Sequence, residues 1–165
     1  MKPLHLHGED LAAGTAAPEW RWGPVSLTDI VRYAGASGDF TPLHHDPAVA
    51  AELGLDRVFA MGMMSAGLAG HYVADWVGPS RVRRLGVRFR DKTWQGDTLA
   101  FRGIVLTSHR TTEAGFATEI SVEAESGDGR VILALTASAE IPSRAACGRC
   151  AREAARPAPA GPPAG

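Results

Sequence analysis

One apolar segment constrains the fold of this chain of 165 residues more than any other part of the sequence. It spans residues 62–77, reads GMMSAGLAGHYVADWV, and has almost no β-branched residue before Val73, so it favours a helix. Gly78 and Pro79 then end that helix. A helix that is apolar on most of its circumference has to be buried, so other elements must wrap around it.

Three later segments supply that wrapping. Residues 82–90, 116–124 and 131–139 alternate between apolar and polar side chains, which is the pattern of half-buried strands. GDGR at 127–130 suits a turn between the last two strands, and QGDT at 95–98 separates the first two. The sequence therefore predicts an α+β protein in which a curved antiparallel sheet wraps around a central apolar helix, the hotdog fold.

Length and composition predict one domain with two irregular ends. We expect a loose N-terminal segment over residues 1–18, the hotdog domain over 19–142, and a disordered tail over 143–165, because Ala, Pro and Gly dominate that tail. The CGRC motif at 147–150 has no second Cys pair, so two exposed thiols are favoured over a zinc or redox site.

Charge and hydropathy limit the partners. The chain has 17 Lys and Arg against 18 Asp and Glu, so nothing global favours nucleic acid or an anionic membrane. The N-terminus lacks the apolar core of a signal peptide, and His71 and Asp75 interrupt the apolar segment. We expect a cytoplasmic protein with no nucleic-acid or membrane partner.

The segment SGDFTPLHHDP, residues 37–47, is predicted to be a loop between two helices. A helix with Thr28 as its N-cap ends near Gly35, and a second short helix begins at Pro47 and ends at Gly54. Prolines at 42 and 47 keep the loop between them irregular.

Asp39 and His44 in this loop are the candidate acid and base. An imidazole titrates near neutral pH, and a carboxylate can orient water or exchange protons with it. Pro42 restricts the backbone of Thr41, so the loop is shaped before a substrate arrives. The alternative is that Asp39 only caps a turn and His44 only satisfies a nearby helix start.

The start of the apolar helix is a candidate oxyanion site. A helix N-terminus presents unsatisfied N–H groups, and Gly62 lets a ligand approach the backbone. The amide of Gly62 or Met63 can stabilise the enolate oxygen of a thioester. The alternative is that Gly62 only permits close packing of the helix.

Together, YAGASGDFTPLHHDPAVAAELGL, the GM that opens the apolar helix, and WQGDTL resemble the MaoC-like hydratase family over residues 25–141. That family includes (R)-specific enoyl-CoA hydratases and (3R)-hydroxyacyl-ACP dehydratase subunits. The resemblance implies a hotdog dimer of like or unlike subunits, with an acyl-CoA or acyl-ACP substrate and no cofactor or metal. It also implies that Asp39 and His44 handle the catalytic water and proton, and that the Gly62 amide holds the thioester oxygen.

The chain departs from the family pattern at two places. Thr41 stands where the family usually has Asn, and Met61 stands where it usually has His. We expect Thr41 to hydrogen-bond within the turn, and Met61 to alter the shape of the pocket. No residue securely matches the serine that some hydratases place further along the helix; His71 is nearby and is predicted to be an interior helix residue.

A basic stripe surrounds the first predicted strand and includes Arg84, Arg88 and Arg90. A solvated face is the commoner role of such a stripe, and docking of CoA or an acidic carrier protein is the alternative. The predicted function is interconversion of (3R)-hydroxyacyl and trans-2-enoyl thioesters. The alternatives are a non-catalytic or half-competent subunit of a heterodimeric dehydratase, and an acyl thioesterase.

Overall fold

A computed structural model describes residues 6–146 of the chain. Within these residues the three α-helices are α1 Leu27–Ser37, α2 Pro47–Glu52 and α3 Gly62–Val77. The same range contains seven strands, which are β1 Trp20–Trp22, β2 Phe59–Ala60, β3 Val82–Phe89, β4 Thr93–Trp94, β5 Leu99–Thr112, β6 Gly115–Ser126 and β7 Val131–Pro142. Short 3-10 helices occupy Gly8–Asp10, Pro42–His44 and Pro79–Arg81.

A five-stranded antiparallel sheet, ordered β1-β5-β6-β7-β3, packs against α3. Alternate residues of the long strands turn inward, because successive side chains of a strand point to opposite faces. The α3 residues Tyr72, Val73 and Trp76 are nearly inaccessible to solvent. They share one core with inward strand residues such as Phe101 and Ile120. The predicted sheet around a central helix is therefore present, and the helix has the predicted bounds.

A second and smaller core lies outside this one. It joins α1, α2, β2 and the first turn of α3 through the buried residues Val25, Ile30, Ala34, Ala50, Val58, Ala60, Met61 and Met64. Strand β2 pairs with β4, with Phe59 opposite Trp94. This cluster, which we call the cap core, supports the loop between α1 and α2.

The two ends of the predicted domain need correction. Residues 6–18 are not loose: Leu11 is buried in the main core, and the backbone of Gly14 and Ala17 donates to carbonyls of β5. Ser143 is also buried, and its hydroxyl donates to the Glu113 carbonyl. Apolar burial and hydrogen bonds order both segments, although their sequences show no regular pattern. The CGRC motif and the rest of the tail lie outside the described residues.

The ends of α1 also differ from the prediction. Ser26 is the N-cap in place of Thr28, and it forms a capping box in which it and Asp29 bond each other's backbone N–H. The helix continues to Ser37, because Gly38 at φ 74° supplies the left-handed residue that ends it. Among the helices of residues 6–146, none is long and apolar enough to span a bilayer.

Candidate active site at the first turn of the central helix

The loop between α1 and α2 is held at both ends. Gly38 turns the chain out of α1, and the Asp46 carboxylate accepts the backbone N–H of Ala48 to cap α2. Between them, Pro42–His44 form one 3-10 turn, closed by His45 N–H donating to the Pro42 carbonyl. The loop is thus a fixed bend, as the two prolines predict.

Asp39 is held by Thr41. The Thr41 hydroxyl donates to Asp39 Oδ1 at 2.7 Å, and the Thr41 backbone N–H donates to the same oxygen at 3.2 Å. The hydrogen bond from the Thr41 hydroxyl is the main reason why the pKa of the Asp39 carboxyl lies below its usual range. The hydrogen bond from the Thr41 backbone N–H lowers this pKa further. Asp39 therefore caps a turn, and it is also ionised at neutral pH.

His44 is oriented by a backbone carbonyl. Its Nδ1 lies 2.8 Å from the carbonyl oxygen of Phe59, which can only accept, so Nδ1 carries the hydrogen. The other ring nitrogen, Nε2, is then the acceptor of the neutral ring, and it faces Asp39 Oδ2 at 3.9 Å. That distance is too long for a hydrogen bond but suits one bridging water.

The exposure of the two side chains differs. The His44 side chain is 12% exposed and packs edge-on against the Phe59 ring, whereas the Asp39 side chain is 44% exposed. The pair therefore combines a fixed, sheltered imidazole with a solvated carboxylate. The two groups that sequence reasoning selected lie together.

The first turn of α3 begins a short way along the chain from Phe59, the residue that orients His44. Phe59, which anchors His44, precedes Gly62 by three residues, at most about 10 Å of extended chain. Met61 at the N-cap makes no side-chain capping bond, so the first N–H groups of α3 are not covered by a side chain of that residue. The Met63 side chain is largely exposed, so this residue can contribute only its amide to an oxyanion site.

Gly62 also approaches the sheet closely. A Cβ atom at Gly62 would lie 3.2 Å from the ring of Phe89 on β3. This contact supports the alternative that Gly62 permits close packing of the helix, and that role is compatible with an oxyanion site at the same residue.

A small cavity of about 90 Å³ opens beside Gly62, and no pattern in the sequence predicts it. Its walls include Phe59, Phe89 and Lys92. The hydroxyls of Ser65 and Thr93 bond each other at 2.7 Å in its buried part. The pairing of the two-residue strands β2 and β4 helps to bring these distant segments together.

The basic residues fall on another face. Leu85 and Phe89 of β3 face α3, because a Cβ at Gly70 or Gly62 would touch them. Arg84 and Arg88 alternate with them and so project from the opposite side of the sheet. Arg90 follows the strand and is exposed. The structure does not bring these three arginines beside Asp39 and His44.

His71 is not interior, contrary to the prediction. Its side chain is 60% exposed, lies 3.6 Å from Asp75, and packs edge-on against Trp20. Within residues 6–146, no three His, Cys, Asp or Glu side chains are grouped so that they could hold a metal ion.

The sheet wrapped around one buried helix makes this a hotdog protein, and its solved neighbours have the same fold. More specifically, the profile of the MaoC like domain matches residues 11–126, so the chain belongs to the MaoC-like family.

A curated relative is similar over part of its length. It is the beta subunit of 3-oxo-4,17-pregnadiene-20-carboxyl-CoA hydratase from Mycobacterium tuberculosis, 37% identical over 79 residues. The match spans 47% of this chain and 61% of that relative.

Two solved structures extend the likeness to most of the chain. One is the ChsH1-ChsH2 complex from Mycobacterium tuberculosis, with TM-score 0.69 and 27% identity over 79% of this chain and 98% of that one. The other is the R-hydratase PhaJ1 from Pseudomonas aeruginosa, with TM-score 0.73 and 24% identity over 83% and 86% of the two chains.

Proposed function

We propose that this protein hydrates trans-2-enoyl thioesters and, in reverse, dehydrates (3R)-hydroxyacyl thioesters, carried on CoA or an acyl carrier protein. The observation that carries the proposal is the 3.9 Å approach of His44 Nε2 to Asp39 Oδ2, which lets one water beside the pair contact both the ring nitrogen and the ionised carboxylate. Membership in the MaoC-like family supports it.

In the proposed mechanism, Asp39, His44 and the backbone amides of α3 have separate roles. Asp39 and His44 Nε2 hold the water, and Nε2 accepts its proton as the water oxygen bonds carbon 3 of the substrate. The carbon 2–carbon 3 double bond becomes an enolate, whose oxygen accepts from the Gly62 or Met63 amide. The imidazolium, stabilised by the Asp39 carboxylate, then gives its proton to carbon 2. Water is thus added as hydroxyl on carbon 3 and hydrogen on carbon 2.

Assembly with a second hotdog subunit is part of the proposal. Asp39 and the Met63 side chain are open to solvent in the single chain, and the matched complex and beta subunit are proteins of more than one subunit by name. A homodimer and a heterodimer are both compatible with this exposure. In the heterodimer this chain, which has both Asp39 and His44, supplies the reacting groups rather than serving as the non-catalytic partner.

The test is an assay of hydration with matched variants. Purified protein is given crotonyl-CoA, longer enoyl-CoAs and enoyl carrier proteins, and loss of enoyl thioester absorbance is followed. We expect Asp39→Asn and His44→Gln each to lower kcat/KM about a hundredfold to ten-thousandfold. His45→Gln is the control, because His45 adjoins His44 in the chain, whereas the ring that lies near the Asp39 carboxylate is that of His44.

Two results would contradict the proposal. The first is full activity in both variants. The second is release of free thiol from the substrate, which would indicate a thioesterase and which hydration does not produce.

A further inference from the structure

The pair of strands β2 and β4 is too small to fix its own position. Each strand has two residues, and Phe59 lies opposite Trp94. A two-stranded ribbon of this length is not stable by itself in water. Its Phe59 carbonyl nevertheless orients the imidazole of His44, 2.8 Å from Nδ1. Contacts from outside the pair must therefore hold that carbonyl in place.

Strand β4 also contacts the first turn of α3. The hydroxyl of Thr93 lies 2.7 Å from that of Ser65, and both residues are buried. Ser65 follows Gly62 by three residues, so it belongs to the helical turn whose amides form the proposed oxyanion site. A shift of β4 would thus disturb the anchor of the imidazole and the oxyanion site together.

Arg130 holds β4 from both ends. It ends the GDGR turn and directly precedes β7, and its Nε donates to Asp128 of the same turn at 2.8 Å. One terminal nitrogen of the guanidinium, Nη1, donates to the Lys92 carbonyl at 3.0 Å, just before β4. The other, Nη2, donates at 2.9 Å to Oδ2 of Asp97, in the QGDT turn that follows β4. One side chain thus connects the five-stranded sheet to each end of the small strand.

Asp97 extends this contact to the strand itself. Its Oδ2, which accepts from Arg130, also accepts the backbone N–H of Trp94 at 2.9 Å. The Asp97 side chain is 9% exposed, and a carboxylate with so little access to water depends on a cation beside it. Arg57 also lies near, 3.7 Å from Oδ1, but it is 47% exposed. Arg130 is therefore the main partner of this carboxylate.

We propose that Arg130, acting through Asp97, is a positioning residue of the hydration reaction, an inference that rests on the proposed function. It keeps β4 in place against the five-stranded sheet, and so keeps the Phe59 carbonyl where it orients His44 towards Asp39. A misplacement of about 1 Å in such a site costs about a hundredfold in rate. Arginine suits this role because its planar fork reaches a carbonyl and a carboxylate at once, whereas a lysine ammonium is a single point of charge.

Two variants loosen this contact with a small change of side-chain size. Arg130→Lys keeps the charge but loses the fork, and Asp97→Asn keeps an acceptor oxygen but loses the charge. Arg110→Lys is the matched control. Arg110 also donates to one carboxylate, of Glu9, and to one backbone carbonyl, of Glu113, but it does so at the opposite end of β6.

Two measurements separate a positioning role from a role in stability alone. We expect Arg130→Lys and Asp97→Asn to lower kcat about tenfold to a hundredfold for the enoyl thioester that the wild type uses best, with KM within about threefold. Nitrogen-15 NMR of the histidine rings should show that His44 in both variants no longer carries its hydrogen mainly on Nδ1, because its carbonyl partner has moved. Arg110→Lys should leave kcat within about twofold and the His44 ring shifts unchanged, even where it lowers the melting temperature.

Two outcomes would overturn the inference. The first is an unchanged kcat with unchanged His44 ring shifts in either variant that is folded by circular dichroism, so one folded variant suffices for the test. The second is the same loss of kcat in Arg110→Lys, which would show a general effect of stability. A wild-type protein that hydrates no enoyl thioester would remove the proposed function, and the His44 ring shifts alone would then decide whether Arg130 positions the imidazole.

Discussion

Asp39 and His44 are each oriented by one short contact with a neighbour. Thr41 holds the carboxylate from two residues away, and the Phe59 carbonyl holds the imidazole from fifteen residues away. The first contact was predictable, because Thr in a turn bonds locally. The second was not, since any backbone carbonyl can accept from a histidine and the sequence does not mark which one does.

The hydroxyl of Thr41 should keep the pKa of Asp39 low. A depressed pKa keeps Asp39 ionised as pH falls, so the carboxylate is present above its pKa and is lost below it. We expect Thr41→Val to raise that pKa in an NMR titration of the Asp39 carboxyl carbon. Thr41→Ser keeps a hydroxyl and should restore the wild-type titration. An unchanged pKa in Thr41→Val would show that the hydroxyl does not stabilise the ionised carboxylate.

At the scale of elements, most long periodic segments were predictable, but the longest described strand, β5, and the short strands were not. Strand β5 was missed because its first three residues are all buried and its last four are all exposed, so its two ends do not alternate. Helix α3 and the three alternating strands follow from hydrophobic periodicity over many residues. The pair β2 and β4 has two residues in each strand, too few for any period. Because that pair positions Phe59 and Thr93, the anchor of His44 and the cavity beside Gly62 were missed with it.

A proline at position 62 would test the helix N-terminus as an oxyanion site. Gly62 is the first residue of α3, where proline fits a helix, and Met61 has ψ 136°, which a following proline accepts. Gly62→Pro removes the N–H, and we expect kcat to fall about a hundredfold or more. Gly62→Ala adds a similar contact with Phe89 but keeps the N–H, so it should lose much less. Equal losses in the two variants would favour the packing role of Gly62.

At the scale of the whole molecule, strand β3 forms a long open edge of the sheet. Among the described residues it is paired only with β7, and Leu85, Val87 and Phe89 on it are exposed. An exposed apolar edge strand invites pairing with another strand. The sequence alternation predicted the inward row of this strand, but it could not show that α3 leaves part of that row uncovered.

Val87→Lys should weaken assembly if this edge is the subunit contact. Val87 lies between Leu85 and Phe89 on the same face of β3, so a lysine there would put a charge in the contact. We expect a smaller mass by sedimentation equilibrium than for the wild type. Ile104→Lys is the control, since Ile104 is also exposed but is paired on both sides, with Ala16 and with Ser121. A mass that stays the same in Val87→Lys would place the contact elsewhere.

The division into a main core and a cap core has a consequence for how such a chain can diversify. The helices on either side of the Asp39–His44 bend pack into the cap core through Ile30, Ala34 and Ala50, whereas most of the buried strand residues belong to the main core. Substitutions at Ile30, Ala34 or Val58 would therefore act first on the two helices that flank the bend, while the packing of the sheet on α3 rests on other residues. The active-site geometry and the scaffold can thus vary through largely separate sets of buried side chains.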